Sequence, residues 1–428
     1  MKGLVVLLTL LASVPPAAAA SIGNGVTVFH WWTSPSELAA VRALVAAFDK
    51  KHPGTAVNAV AADSHGGGAR MFAVIRAAAA GKTPPDAFQV HAGAPLRPYF
   101  DAGLLNPIDR VWTDEGLEKV VPPIVQSMSQ IDGHFYALPM NVHRNNLLWY
   151  SKPLLDKHKI EPGALTTWEA LFDAAEKLEA GGVKHPLQLG EAWTASIAFE
   201  SILASLGIDG YEDWINGKVT SADDPRLLAA FGILKTYLSH ANPDAAKTGW
   251  DAAIQRVIRR EAAFCMMGDW ANGEFRLANQ TYGKEYGAVP VPGAKGLYAA
   301  TIDGFAQTRG RAVSATSDRW MRVAASREGQ DAFNAAKGSI PARTDADSSG
   351  YDPYQRAALA DFKAAKVIYP NLQGSTHDAF KVGLDKVMAD FLADRDVKKA
   401  AAAVAAAAAR SQSKFTRVWT LGEPRPRR

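Results

Sequence analysis

Tryptophan is the residue type in this sequence with most to offer a ligand. There are 11, and Trp31 and Trp32 stand side by side at the end of a strand-like run, VTVFHWW. An indole combines a wide apolar face with one N–H donor at its edge, so it suits a ligand with an apolar face and a polar rim. Gln89 and His91 alternate on another strand-like run, DAFQVHA, and therefore share one of its faces. Asn141 and His143 repeat that spacing after Pro139. Amide and imidazole groups both donate and accept hydrogen bonds. Glu37 adds a carboxylate in the turn after the paired tryptophans, with Ser36 beside it. Taken alone, each has a bland reading as a core aromatic, a helix-start acid or a hydrogen-bonded edge pair. The roles of Ser36, Asn141 and His143 stay open.

No catalytic constellation accompanies these residues. The sequence contains no Gly-x-Ser-x-Gly, no His-Glu-x-x-His and no Walker loop, and the Gly66–Gly68 turn lacks the Lys-Ser/Thr that nucleotide phosphate needs. A glycoside hydrolase would need two carboxylates facing one bond, and Glu37 reads better as a hydroxyl acceptor. The single cysteine, Cys265, can form neither an internal disulfide nor a cysteine metal cluster. The expected chemistry is non-covalent recognition with no metal and no cofactor. An excess of only +4, from 47 basic and 43 acidic residues, argues against nucleic acid as a partner.

The elements that must position these groups follow from the apolar pattern. After VTVFHWW comes an amphipathic helix with Leu38, Val41, Leu44, Val45 and Phe48 at helical spacing. A strand at Ala56–Ala61, a helix from about Ala69 to Ala80 and the DAFQVHA strand complete a β-α-β-α-β order. That order implies a mainly parallel sheet with its ligand site beyond the carboxyl ends of the strands. Asp132-Gly133 marks a hairpin turn. From about Trp168 to Ala241 the chain reads as mostly helical, as does the part from His377 onward. A helix near Trp250–Arg260 precedes a strand, AAFCMMG, and the segment after Pro292-Gly293 is mixed. With 428 residues, two domains are expected. Met1-Lys2, the apolar Leu4–Ala12 and the small-residue Ala17–Ala20 read as a secretory signal peptide cleaved near Ala20.

The stretch LLWYSKPLLDKHKIEPGALTTWEALFDAAEKL resembles the family 1 extracellular solute-binding proteins of bacterial sugar ABC transporters. Tyr150, Lys152, Leu155, Ile160, Pro162, Thr167, Trp168, Glu169 and Leu171 fit the family pattern, with Ser151 in place of its usual Asn. VFHWW, GKTPPDAFQV, DAGLLNPID and HFYALPMNV follow in family order. QVHAG, GDWANGE, IDGF, AAKGSIPAR and STHDAF are most similar to the periplasmic glucose-binding proteins.

The resemblance implies an α/β, two-lobed periplasmic-binding-protein fold with discontinuous lobes and a hinge-bound ligand cleft. Residues 21–136 and 300–341 would form the first lobe, 137–299 and 342–428 a second, more helical one. It implies a monomeric receptor that hands a neutral monosaccharide, glucose before galactose, to a permease and its ATPase. A disaccharide or another small solute is the alternative. The implied site is Trp31, Trp32, Glu37, Gln89, His91, Trp193, Trp270, Asp303, Lys337 and His377. Trp250 is expected farther off.

Overall fold

The computed structural model describes residues 25–62, 70–309, 314–375 and 378–411; the signal-like segment, the Gly66–Gly68 turn and His377 lie outside the described residues. Strand Val26–His30 is almost wholly buried, as its near-continuous apolar run requires of a strand covered on both faces. It pairs in parallel with Val57–Ala61 on one side and Ala87–His91 on the other. The next strand is Asp303–Thr308, which runs antiparallel to Ala87–His91 and places Asp303 opposite His91. Leu105–Asn106 and Leu138–Pro139 also pair with this late strand. The sheet is thus parallel where the sequence pattern was regular and antiparallel where the chain returns.

Helix Pro35–Lys51 follows the paired tryptophans. The Ser34 hydroxyl accepts from the Glu37 amide, and the Glu37 carboxylate accepts from the Ser34 amide at 3.2 Å, a reciprocal cap that satisfies two amides with no helical partner. Val41, Leu44 and Phe48 face inward as their spacing predicts, whereas Leu38 and Val45 are only half-buried. This helix packs on helix Arg327–Lys337. Asp132 and Gly133 both have positive φ, which matches the tight turn between Gln130–Ile131 and His134–Phe135.

A second sheet centres on Leu147–Ser151, antiparallel to both Phe264–Met266 and Tyr286–Pro290, with Leu187–Gln188 outside Phe264–Met266. Helices surround it. Ala192–Leu206 is buried on nearly every side, as expected for a helix apolar all round. The alanine-rich helix Val397–Ser411 packs on Asp378–Asp394 and Pro225–Ser239, and no described helix is long and apolar enough to cross a membrane. The apolar side chains fall into two cores, one around Val28, Phe88, Phe305 and Trp320, the other around Leu171, Phe199, Phe231 and Phe391.

A small third sheet joins the two halves, in the order Ile340–Pro341, Asn141–Arg144, Leu297–Thr301, Val367–Pro370. Leu138–Pro139 belongs to the first sheet and Asn141–Arg144 to the small one; Leu297–Thr301 belongs to the small one and Asp303–Thr308 to the first. Only Met140 and Ile302 separate the strands in each passage. The Met140 amide donates to the Asp303 carbonyl at 2.8 Å, and the Asp303 amide to Asn141 Oδ1 at 3.1 Å. The two passages are therefore tied together, and they bring His143, Thr301 and Asp303 to one place.

Candidate functional site

A cavity of about 540 Å³ opens where the first sheet ends. From the first sheet, the loop after Val26–His30 and the first turn of helix Pro35–Lys51 it is lined by Trp31, Trp32, Glu37, His91 and Asp303, with Lys337 reaching in from the end of helix Arg327–Lys337. The opposite wall carries Trp193, Trp250 and Trp270. That volume lies within the range of small-molecule sites, about 300–1,000 Å³.

The strand ends at His30, before the tryptophan pair, so strict alternation no longer forces the two rings to opposite faces. Trp31 is half-buried, with its ring centroid 4.9 Å from that of His91. Trp32 is only 1% exposed: its ring meets Phe305 edge-on and leans on Phe333, so it lines the cavity from within the core. Gln89 does not line the cavity. It shares the face of His91 but sits two residues, about 6.6 Å, further back along the strand. There it is fully buried, and its Oε1 accepts from the Trp31 amide at 2.9 Å. Gln89 therefore shapes the backbone that presents Trp31.

The polar floor is a chain of alternating imidazoles and carboxylates. His91 Nδ1 lies 3.1 Å from one oxygen of Asp303, and His143 Nε2 lies 3.5 Å from the other. His143 Nδ1 is in direct contact with Asp269. Burial opposes charge on Asp303, but the two imidazoles outweigh it and hold the carboxyl well below the usual carboxylate range. Burial likewise opposes an imidazolium at His143, but the touching Asp269 carboxylate and the Asp303 hydrogen bond raise its pKa above the ordinary histidine value. Lys337, 1% exposed, is held by Glu37 at 2.8 Å. Glu37 thus serves two purposes: one oxygen caps the helix and the other neutralises a buried ammonium. His30, just before Trp31, is held neutral at physiological pH, since burial lowers its pKa to about 4.

On the far wall the Trp193 N–H donates to Glu191 at 2.8 Å, which leaves the indole face for the cavity. The Trp270 ring packs 6.1 Å from Trp193 and edge-on to His143 at 5.3 Å. A Cβ at Gly268 would come within 2.2 Å of the Trp270 ring, so glycine is what lets that ring fold back.

The structure gathers Trp31, Trp32, Glu37, His91, Trp193, Trp270, Asp303 and Lys337 around one cavity, leaves Gln89 beneath it, and does not describe His377. His143 joins the lining, whereas Asn141 lies behind it. The Ser36 hydroxyl turns away and donates to Glu274 at 2.8 Å. Thr301, Glu191, Lys247, Trp250 and Asp251 also line the cavity and were not among the expected set. Only Trp250 carried a usable signal, as an aromatic at a helix start after Gly249; the others are ordinary surface-type residues until the chain is folded.

Residues 32–331 match the family model described as bacterial extracellular solute-binding protein. An uncharacterized ABC transporter extracellular-binding protein of Pyrococcus horikoshii is 38% identical over 380 residues, covering 87% of this chain and 85% of that protein. A protein of Brucella melitensis biotype 1 named probable sugar-binding periplasmic protein is 31% identical over 359 residues, covering 83% of this chain and 84% of that one. Among solved structures, the bacterial solute receptor AcbH superposes with a TM-score of 0.79 at 20% identity, over 92% of this chain and 100% of that chain. A likeness at that identity is one of fold.

Proposed function

The chain belongs to the bacterial extracellular solute-binding protein family, and we propose that its cleft captures a neutral monosaccharide, glucose first and galactose second, for an ABC importer. It is a binding protein and not an enzyme. One observation carries the choice of ligand: aromatic walls on both sides of the cavity face a floor of fixed carboxylate, imidazole and ammonium groups. A pyranose has apolar C–H faces for the indoles and a rim of hydroxyls for the floor. The cavity lining includes Glu37, Glu191, Asp251 and Asp303 against Lys247 and Lys337, with no arginine among its lining residues. That balance disfavours a phosphorylated or otherwise anionic solute. The names of relatives, an ABC transporter extracellular-binding protein and a sugar-binding periplasmic one, agree with this reading.

Delivery of the sugar to a permease and its ATPase, a periplasmic location and a monomeric state are parts of the same proposal. So are the lobe boundaries. The pairing of Leu138–Pro139 with the first sheet favours a first crossing at Met140 instead of residue 136. The extension of the cavity to Lys247, Trp250 and Asp251 favours a disaccharide as the second reading.

The test is a thermal-shift and calorimetric screen of the mature chain after unfolding and refolding to remove carried sugar. Glucose, galactose, mannose, xylose, maltose, trehalose and glycerol 3-phosphate are the probes. Ligand binding to the native state raises the melting temperature by mass action. A shift with glucose or galactose is the expected result. A shift with maltose or trehalose alone selects the second reading, and one with glycerol 3-phosphate alone rejects both.

A further inference from the structure

We infer that Asp269 is a positioning residue for the cleft: it fixes the orientation and protonation of His143, and through His143 it aims the Asp303 carboxylate at the ligand. This rests on the reading of the cavity as a sugar site. Asp269 does not line the cavity and has no exposed surface, so it cannot touch a ligand itself. Its Oδ1 meets His143 Nδ1, while its other oxygen has no hydrogen-bond partner among the described residues. The interaction with the imidazole is therefore what justifies a buried carboxylate here. A carboxylate at Nδ1 keeps a proton on that nitrogen and favours the imidazolium, whose second N–H, at Nε2, then faces the Asp303 carboxylate.

The backbone makes Asp269 well placed for this. Its amide donates to the Arg144 carbonyl at 2.9 Å, which ties the segment after strand Phe264–Met266 to the residue next to His143. The following residue is Trp270, whose ring stands edge-on to the same imidazole. One short turn, Gly268-Asp269-Trp270, thus supplies an aromatic wall of the cleft and secures the histidine of its floor. The charged groups that bear on His143 are Asp269 from this turn, Asp303 from the first sheet and Lys337 from the end of helix Arg327–Lys337. His91 acts on it through Asp303. The Asn141 amide nitrogen lies 3.0 Å from Nε2 and would donate to it only in the neutral ring, so it opposes the imidazolium. Tyr298 and Tyr354 feel the Asp269 charge from behind. Among these groups Asp269 is the one in direct contact with Nδ1.

The experiment reads His143 directly by nitrogen and carbon NMR of ligand-free protein with labelled histidine, in the wild type and in Asp269→Asn and Asp269→Glu. The wild type is expected to keep a proton on Nδ1 in both charge states and to titrate above the ordinary histidine range. Asp269→Asn should lower that midpoint, and Asp269→Glu should restore part of it. A wild-type His143 protonated on Nε2 alone, or titrating at or below the ordinary value, overturns the proposal even if neither variant folds. Glucose and galactose affinities are then measured from pH 5 to 9. Asp269→Asn should lose roughly tenfold or more, the scale of one hydrogen bond to a charged group, and its affinity should fall at a lower pH than that of the wild type. An unchanged pH profile overturns the positioning role. Should neither sugar bind the wild type, the ligand assignment fails, while the NMR result still decides whether Asp269 governs His143.

Discussion

Asp303 and Glu200 are both carboxylates removed from water, one beneath the cleft and the other inside the helical core. Asp303 is met by two imidazoles and stays ionised far into acid. Glu200, on helix Ala192–Leu206, accepts from the Leu372 amide at 2.7 Å and weakly from the Tyr211 hydroxyl, and its Oε1 has no partner among the described residues. Lys381, itself paired with Asp385, acts on it less than burial does, and burial pushes the Glu200 carboxyl up to about 8. The same group at similar depth is charged in one place and neutral in the other. Depth alone does not make a buried acid a binding group; its partners do. The acid kept charged faces the cavity, where a charged acceptor can hold a ligand hydroxyl. The acid made neutral ties Leu372 and Tyr211 to the helix.

The largest expected break in this contrast is Asp303→Asn. It removes the charge that both imidazoles address, and truncating one side of a buried charge pair costs about 2–5 kcal/mol. Calorimetry should show sugar affinity falling by about two orders of magnitude or more; a loss below tenfold would mean that the paired acid is structural. Trp270→Ala comes next, at about 1–3 kcal/mol of affinity through lost apolar contact, with the fold retained by circular dichroism. Unchanged affinity would remove the far wall from the site.

Glu200→Gln sharpens the contrast from the other side. The native state holds an extra proton between the ordinary glutamate pKa of 4.5 and about 8, so wild-type stability declines as pH rises through that window. The variant should be more stable in denaturant titrations at pH 8, by up to about 4 kcal/mol at about 1.4 kcal/mol per pKa unit, and the gain should vanish below pH 4.5. Sugar affinity should not move. Asp303 has the opposite sign: its depressed pKa contributes stability above the ordinary carboxylate range, lost as pH falls through the folded value. Asp303→Asn should therefore flatten the acid limb of the stability profile. The smallest effect is expected for Glu191→Gln, which keeps an acceptor for the Trp193 N–H; the loss of affinity should stay below about 1.5 kcal/mol, the scale of one neutral hydrogen bond.

Much of the architecture was legible in residue order. The regular βα units to His91, the Asp132-Gly133 turn and helix Pro35–Lys51 depend on local spacing, caps and turn chemistry, which act within a few residues. That aromatic and polar side chains would gather around one cavity was legible too, because they cluster at strand ends. The mixed segment resolved only on folding, into strands Leu297–Thr301 and Asp303–Thr308 and helices Ala315–Ala325 and Arg327–Lys337. What the tertiary structure alone decided were the pairings between distant residues. Antiparallel register set Asp303 against His91, the depth of the strand put Gln89 under Trp31 and not in the cleft, and a turn from the second sheet set Asp269 against His143. Side-chain periodicity reports which face a residue shares, but not how far along that face the cavity lies. Nor does a local pattern carry the charge of a partner a hundred residues away, and here that partner determines whether a buried acid is ionised.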